Sequence, residues 1–75
     1  MTLLNLENGT SALIKGFTGG KKMVQKLMQY GIFPGDKVLV IRTAPFDGPV
    51  MISINGREIA LGRGIAGAVQ VEMEE

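Results

Sequence analysis

The spacing of hydrophobic residues changes several times along the chain, and each change marks the boundary of an expected helix or strand. Residues 9–17 have apolar side chains at successive positions, which is typical of a strand covered on both faces. Leu13 and Phe17 fall on one of these faces, and Ala12 and Ile14 fall on the other. The first predicted element is therefore a strand with apolar contacts on each side.

Residues 21–30 have the 3.6-residue periodicity of an amphipathic helix. Thr18 is a candidate cap for its first turn, and Gly31 suits the left-handed conformation that ends many helices. At 100° per residue, an arc of about 160° contains all the large apolar side chains of this segment: Met23, Val24, Leu27, Met28 and Tyr30.

Two lysines conflict with this helix. Lys21 and Lys22 lie in the first turn, where the helix dipole disfavours cations by roughly 0.3–1 kcal/mol. One interpretation is a solvated face on which the penalty is small. The other is that this end of the helix meets an acidic partner or an anion.

A second strand is expected after the helix. Pro34 and Gly35 fit the central positions of a type II turn, because proline fixes φ and glycine adopts positive φ. Residues 37–44 are apolar on both faces, so we expect this strand at the centre of the sheet. Residues 44–49 contain two prolines and predict a turn-rich loop.

Residues 50–61 predict a hairpin, because Asn55-Gly56 is the preferred pair for a type I′ turn. A two-residue loop fixes the register: Ile54 opposite Arg57, Ile52 opposite Ile59 and Val50 opposite Leu61. One face of this hairpin then carries its large aliphatic side chains: Val50, Ile52, Ile54, Ile59 and Leu61.

The remaining residues complete a mainly β architecture. Residues 62–67 predict a tight connection with about one helical turn, and residues 68–73 predict a strand whose inward side chains are Val69, Val71 and Met73. Five short strands with one helix inserted between the first two predict a small, partly open barrel. The length of 75 residues predicts a single domain over 1–75.

Composition narrows the chemistry. The chain has no Cys and no His, which removes thiol nucleophiles, disulfides, the usual zinc ligands and the commonest general base. Asp36, Asp47 and Glu58 are expected at turns or solvated strand positions, so we predict no catalytic residue, no cofactor and no metal ligand. No signal peptide and no apolar run of roughly 20 residues is present, which predicts a cytoplasmic protein.

Charge leaves one alternative open. The formal net charge is +1, whereas nucleic-acid binders usually carry a concentrated basic face. The only local cluster is Lys21, Lys22 and Lys26. A small nucleic-acid-binding barrel that uses these three lysines is the alternative function, and it predicts binding that weakens steeply with salt.

A series of short motifs runs in order along nearly the whole chain: Gly16-Phe17, Lys26-Leu27-Met28, Gly31-Ile32-Phe33-Pro34-Gly35, Ala44-Pro45, Asp47-Gly48-Pro49-Val50, Ile59-Ala60-Leu61-Gly62-Arg63, Ile65-Ala66 and Val69-Gln70-Val71-Glu72. In this order and at this spacing they resemble the ferrous iron transport protein A (FeoA) family. Many relatives carry an acidic residue where this chain has Ile65. The resemblance implies an SH3-like barrel of five to six short antiparallel strands with one inserted helix.

The resemblance also implies a function. It implies a non-enzymatic, cytosolic accessory or regulatory protein of a prokaryotic ferrous iron uptake system. Its implied partner is the cytosolic GTP-binding region of the FeoB-type permease, which would provide its only association with the membrane. Weak transition metal ion binding and a homo-oligomeric state stay open. The fold also resembles the C-terminal module of iron-dependent repressors, although this chain has no winged-helix portion.

Large apolar side chains in the helix and in two turns are the candidate partner contacts. Phe33 and Phe46 lie in turns, where they either cap the ends of the barrel or anchor a partner beside an adaptable pocket lined by Met23 or Met28. The full candidate set is Met23, Leu27, Met28, Tyr30, Phe33, Pro34, Pro45 and Phe46.

Overall fold

The computed structural model describes residues 1–74. A short 3₁₀ helix, Leu3–Asn5, precedes the first strand, and the other elements are β1 (Ser11–Phe17), α1 (Gly20–Gln29), β2 (Lys37–Thr43), β3 (Val50–Ile54), β4 (Arg57–Leu61), α2 (Arg63–Ala66) and β5 (Val69–Met73). The five strands form one antiparallel sheet in the order β4-β3-β2-β1-β5. The predicted mainly β architecture with a helix between the first two strands is confirmed.

The central strand is β2, as its two apolar faces predicted. Its pairing with β3 contains a bulge, because the register shifts between Val40 and Arg42. The pairing of β1 with β5 shifts in the same way between Ile14 and Gly16. An inserted residue at each position increases the local twist of its strand, which helps a small sheet to curve around its core.

The bulge in β1 corrects the predicted faces of that strand. Phe17 pairs with the fully buried Val69 and packs against the core, so it shares the inner face with Ile14. Leu13, which was predicted on the same face as Phe17, is 36% exposed. The inserted residue reverses the alternation of side chains beyond it, and this reversal accounts for the wrong prediction.

The β3–β4 hairpin has the predicted turn and register. Asn55 and Gly56 both adopt positive φ, at 51° and 77°, as a type I′ turn requires. The predicted cross-strand pairs all occur. Ile59 is half-buried at the edge of the core, whereas its partner Ile52 is fully buried.

The core lies between the inner face of the sheet, α1 and the N-terminal segment. Leu27 is the buried residue of α1, and Leu3 and Leu6 cover the sheet from the N-terminal side. The outer edge of β5 is covered as well, because the Val71 amide donates to the carbonyl of Met1 at 2.9 Å. The N-terminal segment therefore covers part of the free edge of β5.

The last part of the chain contains one helical turn and the edge strand β5. The single turn of helix predicted in 62–67 is present as α2. Met73, predicted to point inward, is 46% exposed. It is the last residue of an edge strand, where few neighbouring side chains can cover it. Within residues 1–74, no helix has the length and apolar character needed to cross a membrane.

Candidate partner-binding surface

The first turn of α1 has no side-chain cap. The N-cap residue is Gly19, which has φ of 95°, and no side chain accepts a hydrogen bond there. Thr18 was a candidate for this cap, and the structure does not place it there. Because Gly19 and Gly20 both take positive φ, the chain turns into the helix one residue too late for the Thr18 hydroxyl to serve as the cap.

The last turn of α1 ends in a Schellman motif at Gly31. The Gly31 amide donates to the carbonyl of Met28 at 2.9 Å, and the Ile32 amide donates to the carbonyl of Leu27 at 3.1 Å. Gly31 has φ of 79°, which its lack of a Cβ permits. Ile32 and Leu27 are both fully buried, so the turn brings the chain back onto the core.

The turn that follows is a type II turn with a side-chain closure. The Asp36 amide donates to the carbonyl of Phe33 at 3.1 Å, and Gly35 has φ of 95°, as the prolyl-glycyl pair predicted. The Asp36 carboxylate accepts a hydrogen bond from the Phe33 amide at 3.0 Å. The turn is also joined to β1, because the Gly35 amide donates to the carbonyl of Ile14 at 2.7 Å.

The tip of the β3–β4 hairpin holds this turn and the helix end from the other side. Arg57 Nη2 donates to the carbonyl oxygens of Tyr30 and Gly31 at 2.9 and 3.4 Å. Asn55 Nδ2 donates to the Asp36 carboxylate at 3.2 Å. This role of the hairpin residues has no local signal in the sequence, which places Asn55 only in its turn and Arg57 only at a strand position.

These interactions present a small apolar surface that we call the helix–β2 corner, consisting of Met28, Phe33 and Pro34. Met28 is 41% exposed and Phe33 is 44% exposed, and Pro34 is also exposed. Met23 and Tyr30, two other candidates, are partly buried and pack against the core. Their side chains therefore pack mainly beneath the corner and expose little surface to a partner.

Leu27 corrects the predicted set of partner contacts. It is fully buried in the core, so a partner cannot touch it in the folded chain. Leu27 lies in the middle of the apolar arc of α1, with Met23 on one side and Met28 on the other. This position already indicated burial in the sequence. Leu27 therefore belongs to the fold and not to the surface.

Phe46, the second candidate phenylalanine, lies in a separate loop. We call residues 44–49 the Phe46 loop. Phe46 is completely exposed, so it does not cap an end of the barrel. Phe46 and Asp47 have φ of 59° and 58°, a conformation that residues other than glycine rarely adopt. The loop is closed by two backbone hydrogen bonds, Ala44 to Pro49 at 2.9 Å and Gly48 to Pro45 at 3.2 Å.

The structure separates the predicted contacts into two groups. The helix–β2 corner leads into the first residue of β2, whereas Pro45 and Phe46 follow its last residue. A strand of seven residues is about 20 Å long. The eight candidates therefore do not form one continuous surface.

Other chemistry receives little support from the described residues. Within 1–74 there is no pocket, and no three acidic side chains come together in a way that could hold a metal ion. No charged or polar residue in this range is buried. The predicted pocket beside Met23 or Met28 is thus not present.

The comparisons with known proteins agree with this architecture. A model of the FeoA domain matches residues 1–73. The chain belongs to the FeoA family. A Methanocaldococcus jannaschii protein provisionally named Fe(2+) transport protein A is 39% identical over 69 residues, which are 92% of this chain and 82% of that protein. Members of this family are accessory proteins of ferrous iron transport, and the resemblance found in the sequence is confirmed.

Solved structures support both the family and its SH3-like fold. The crystal structure of an iron uptake regulatory protein, FeoA, has a TM-score of 0.86 and 32% identity, and the match covers 96% of this chain and 93% of that one. A manganese-dependent transcriptional repressor has a TM-score of 0.89 at 19% identity, with 99% of this chain and 41% of the repressor covered. At that identity the likeness shows a shared fold only.

Proposed function

We propose that this chain is a non-enzymatic accessory protein that acts in the cytoplasm by binding the cytosolic GTP-binding region of a FeoB-type ferrous iron permease. The family supports the role in ferrous iron transport. The observation that carries the binding role is the exposure of Phe33 and Met28 on a corner that hydrogen bonds hold in place.

A fixed apolar corner is well suited to binding a protein. Association is opposed by the ordering of interface side chains and loops, at about 0.5–1.5 kcal/mol for each immobilised side chain. Here Asp36 and Arg57 already hold the backbone on both sides of Phe33 in the free chain. The backbone around Phe33 is thus ordered before a partner arrives, which lowers the cost of association, and Phe33 can act as an anchor.

We assign Phe46 to a second, separate contact with the same partner. A fully exposed phenylalanine contributes no burial to its own fold, so it is available to fill a pocket elsewhere. A standard protein interface buries about 800 Å² on each partner, which is wide enough to reach features roughly 20 Å apart. The two contacts can therefore belong to one interface.

The proposal includes no catalytic step and no metal ligand. Asp36 is the carboxylate at the helix–β2 corner, and it already accepts hydrogen bonds from the Phe33 amide and from Asn55. Asp47 is largely exposed in the Phe46 loop and lies 3.9 Å from Arg63. Both carboxylates have structural neighbours that account for their positions.

The test is a calorimetric titration of the isolated GTP-binding region of the permease with the full chain and three variants. We expect Phe33→Ala to weaken binding by about tenfold or more and Phe46→Ala by about threefold to tenfold. Met73→Ala is the matched control, because Met73 is exposed to a similar degree but lies on the edge strand β5, which β1 separates from β2. Amide shifts in an NMR titration should concentrate in residues 23–35 and 45–49.

Two results would contradict the proposal. Affinities of Phe33→Ala and Phe46→Ala equal to that of Met73→Ala would exclude binding through these surfaces. An absence of binding by the wild-type chain in the nucleotide-free, GDP-bound and GTP-bound states of the region would exclude this partner.

A further inference from the structure

The charge of the molecule is unevenly distributed. α1 contains three lysines, Lys21, Lys22 and Lys26, and no acidic residue. The whole chain carries a formal charge of +1 and α1 carries +3, so the rest of the chain carries −2. The helix is thus a basic ridge on a molecule that is otherwise weakly acidic.

Lysines elsewhere on the sheet have acidic neighbours, in contrast to those of α1. Lys15 lies 3.1 Å from Glu72, and Lys37 lies 3.6 Å from Glu74. Among residues 1–74, no carboxylate lies within ion-pair distance of an α1 lysine. The fold leaves the positive charge of the helix available to another molecule.

The arrangement of these lysines opposes the helix that carries them. Lys21 and Lys22 occupy the first turn, which has no side-chain cap and where the helix dipole disfavours cations. Lys22 and Lys26 are four residues apart, so two like charges are neighbours on the helix surface. Departures of this kind from local preference are found mainly where function requires them. An acidic surface placed against α1 would relieve both repulsions.

The neighbourhood of the lysines favours a protein as the occupant. The exposed arc of α1 runs from Lys26 through Lys22 and Lys21 to Met28, which belongs to the helix–β2 corner. Apolar contacts bordered by charged residues are typical of protein interfaces. Nucleic-acid binders, by contrast, usually carry a concentrated basic face, whereas the formal net charge of this chain is only +1.

We propose that the lysine face of α1, formed by Lys21, Lys22 and Lys26, docks against an acidic surface of the protein partner and accelerates association with it. The inference rests on the proposed function, because it names the charge of the partner surface beside the helix–β2 corner. Charges at the rim of an interface act chiefly on the association rate and its salt dependence. The lysine face therefore steers the encounter, while Phe33 determines how long the complex lasts.

Two double variants of equal net charge test this inference. Lys22→Gln with Lys26→Gln removes two charges from the lysine face, and Lys15→Gln with Lys37→Gln removes two paired charges from the sheet. Association and dissociation rates with the GTP-binding region of the permease would be measured at roughly 20 mM and 500 mM salt. We expect the α1 variant to associate about fivefold more slowly at low salt, with an unchanged dissociation rate, and the sheet variant to change less than twofold.

Each outcome has a definite meaning. The deficit of the α1 variant should disappear at high salt, and its melting temperature should equal or exceed that of the wild type, because a repulsion has been removed. Equal effects of the two variants would overturn the inference and leave the proposed function intact, provided that the wild type binds. A second result would also overturn the inference. In it, the wild-type chain binds a DNA duplex or anionic vesicles in a salt-sensitive way that requires Lys22 and Lys26, while the α1 variant binds the permease region as the wild type does.

Discussion

The helix–β2 corner and the Phe46 loop both expose a phenylalanine, but different interactions hold them. At the corner, side chains from two elements fix the backbone around Phe33: Asp36 binds its amide, and Arg57 binds the carbonyl of Tyr30. In the Phe46 loop, backbone hydrogen bonds between residues 44–49 hold the chain in place, and the Arg63 side chain lies 3.9 Å from Asp47. One region is integrated into the tertiary structure, and the other is a local turn.

This difference determines what a substitution can reveal. At the corner, exposed residues are direct neighbours of core residues, as Met28 is of Leu27. A substitution there can alter stability and partner binding together. In the Phe46 loop the exposed side chain buries no surface within the chain, so stability and binding can be changed separately. The predictions below use these contrasts.

The largest expected effect separates the core from the surface within α1. Leu27→Ala should lower the free energy of unfolding by about 3 kcal/mol, because it removes a fully buried side chain and leaves a cavity. Met28→Ala should change it by about 1 kcal/mol or less, because Met28 is 41% exposed. Urea unfolding followed by circular dichroism measures both.

The same pair of variants checks the correction made for Leu27. For a domain of this size, 3 kcal/mol corresponds to a melting temperature about 12–24 °C lower. A loss below 1 kcal/mol for Leu27→Ala would mean that the side chain is not part of the core. In that case Leu27 would return to the set of partner contacts.

An intermediate effect tests whether Arg57 supports the corner. Gly31→Ala and Gly35→Ala should each lower the free energy of unfolding by about 1–2 kcal/mol, because alanine is strained at their positive φ. A Cβ at position 31 would also meet Arg57 Nη2, whereas a Cβ at position 35 meets nothing within 4 Å. Gly31→Ala should therefore cost about 1 kcal/mol more, through the loss of the hydrogen bonds of Arg57.

A double-mutant cycle isolates this contribution. In an Arg57→Ala background the difference between Gly31→Ala and Gly35→Ala should disappear, and equilibrium unfolding measures all six proteins. A difference that persists without the Arg57 side chain would show that the guanidinium does not hold the helix end. The corner would then depend on its turn alone.

The sequence patterns predicted the hairpin register and turns better than the contacts between elements that are distant in the chain. Asn55-Gly56 and the alternation of β3 and β4 were sufficient to predict the register, because turn type and side-chain period specify it locally. The bulge in β1 has no comparable local signal, so the predicted face of Phe17 was wrong. Bulges depend on how two distant strands pair, and a single sequence does not display that.

The candidate surface shows the same limit. Periodicity identified the apolar arc of α1, but whether Leu27 or Met28 is covered depends on where the sheet lies. The separation of Phe33 from Phe46 follows from the path of β2 between them. The contact of Arg57 with the helix end joins residues 27 positions apart and required the folded chain to be seen.

The smallest expected effect on stability belongs to the Phe46 loop and gives the sharpest contrast with the corner. Phe46→Ala should change the free energy of unfolding by less than about 0.5 kcal/mol, because the ring is completely exposed. Phe46→Gly should leave the free energy of unfolding unchanged or raise it by about 0.3 kcal/mol. Glycine relieves the strain at φ of 59°, and this gain outweighs the added freedom of the unfolded chain. Thermal unfolding of both variants beside the permease titration compares stability and binding directly. A loss of more than 1 kcal/mol in Phe46→Ala would mean that the ring packs against the chain, and the assignment of Phe46 to a partner would lose its basis.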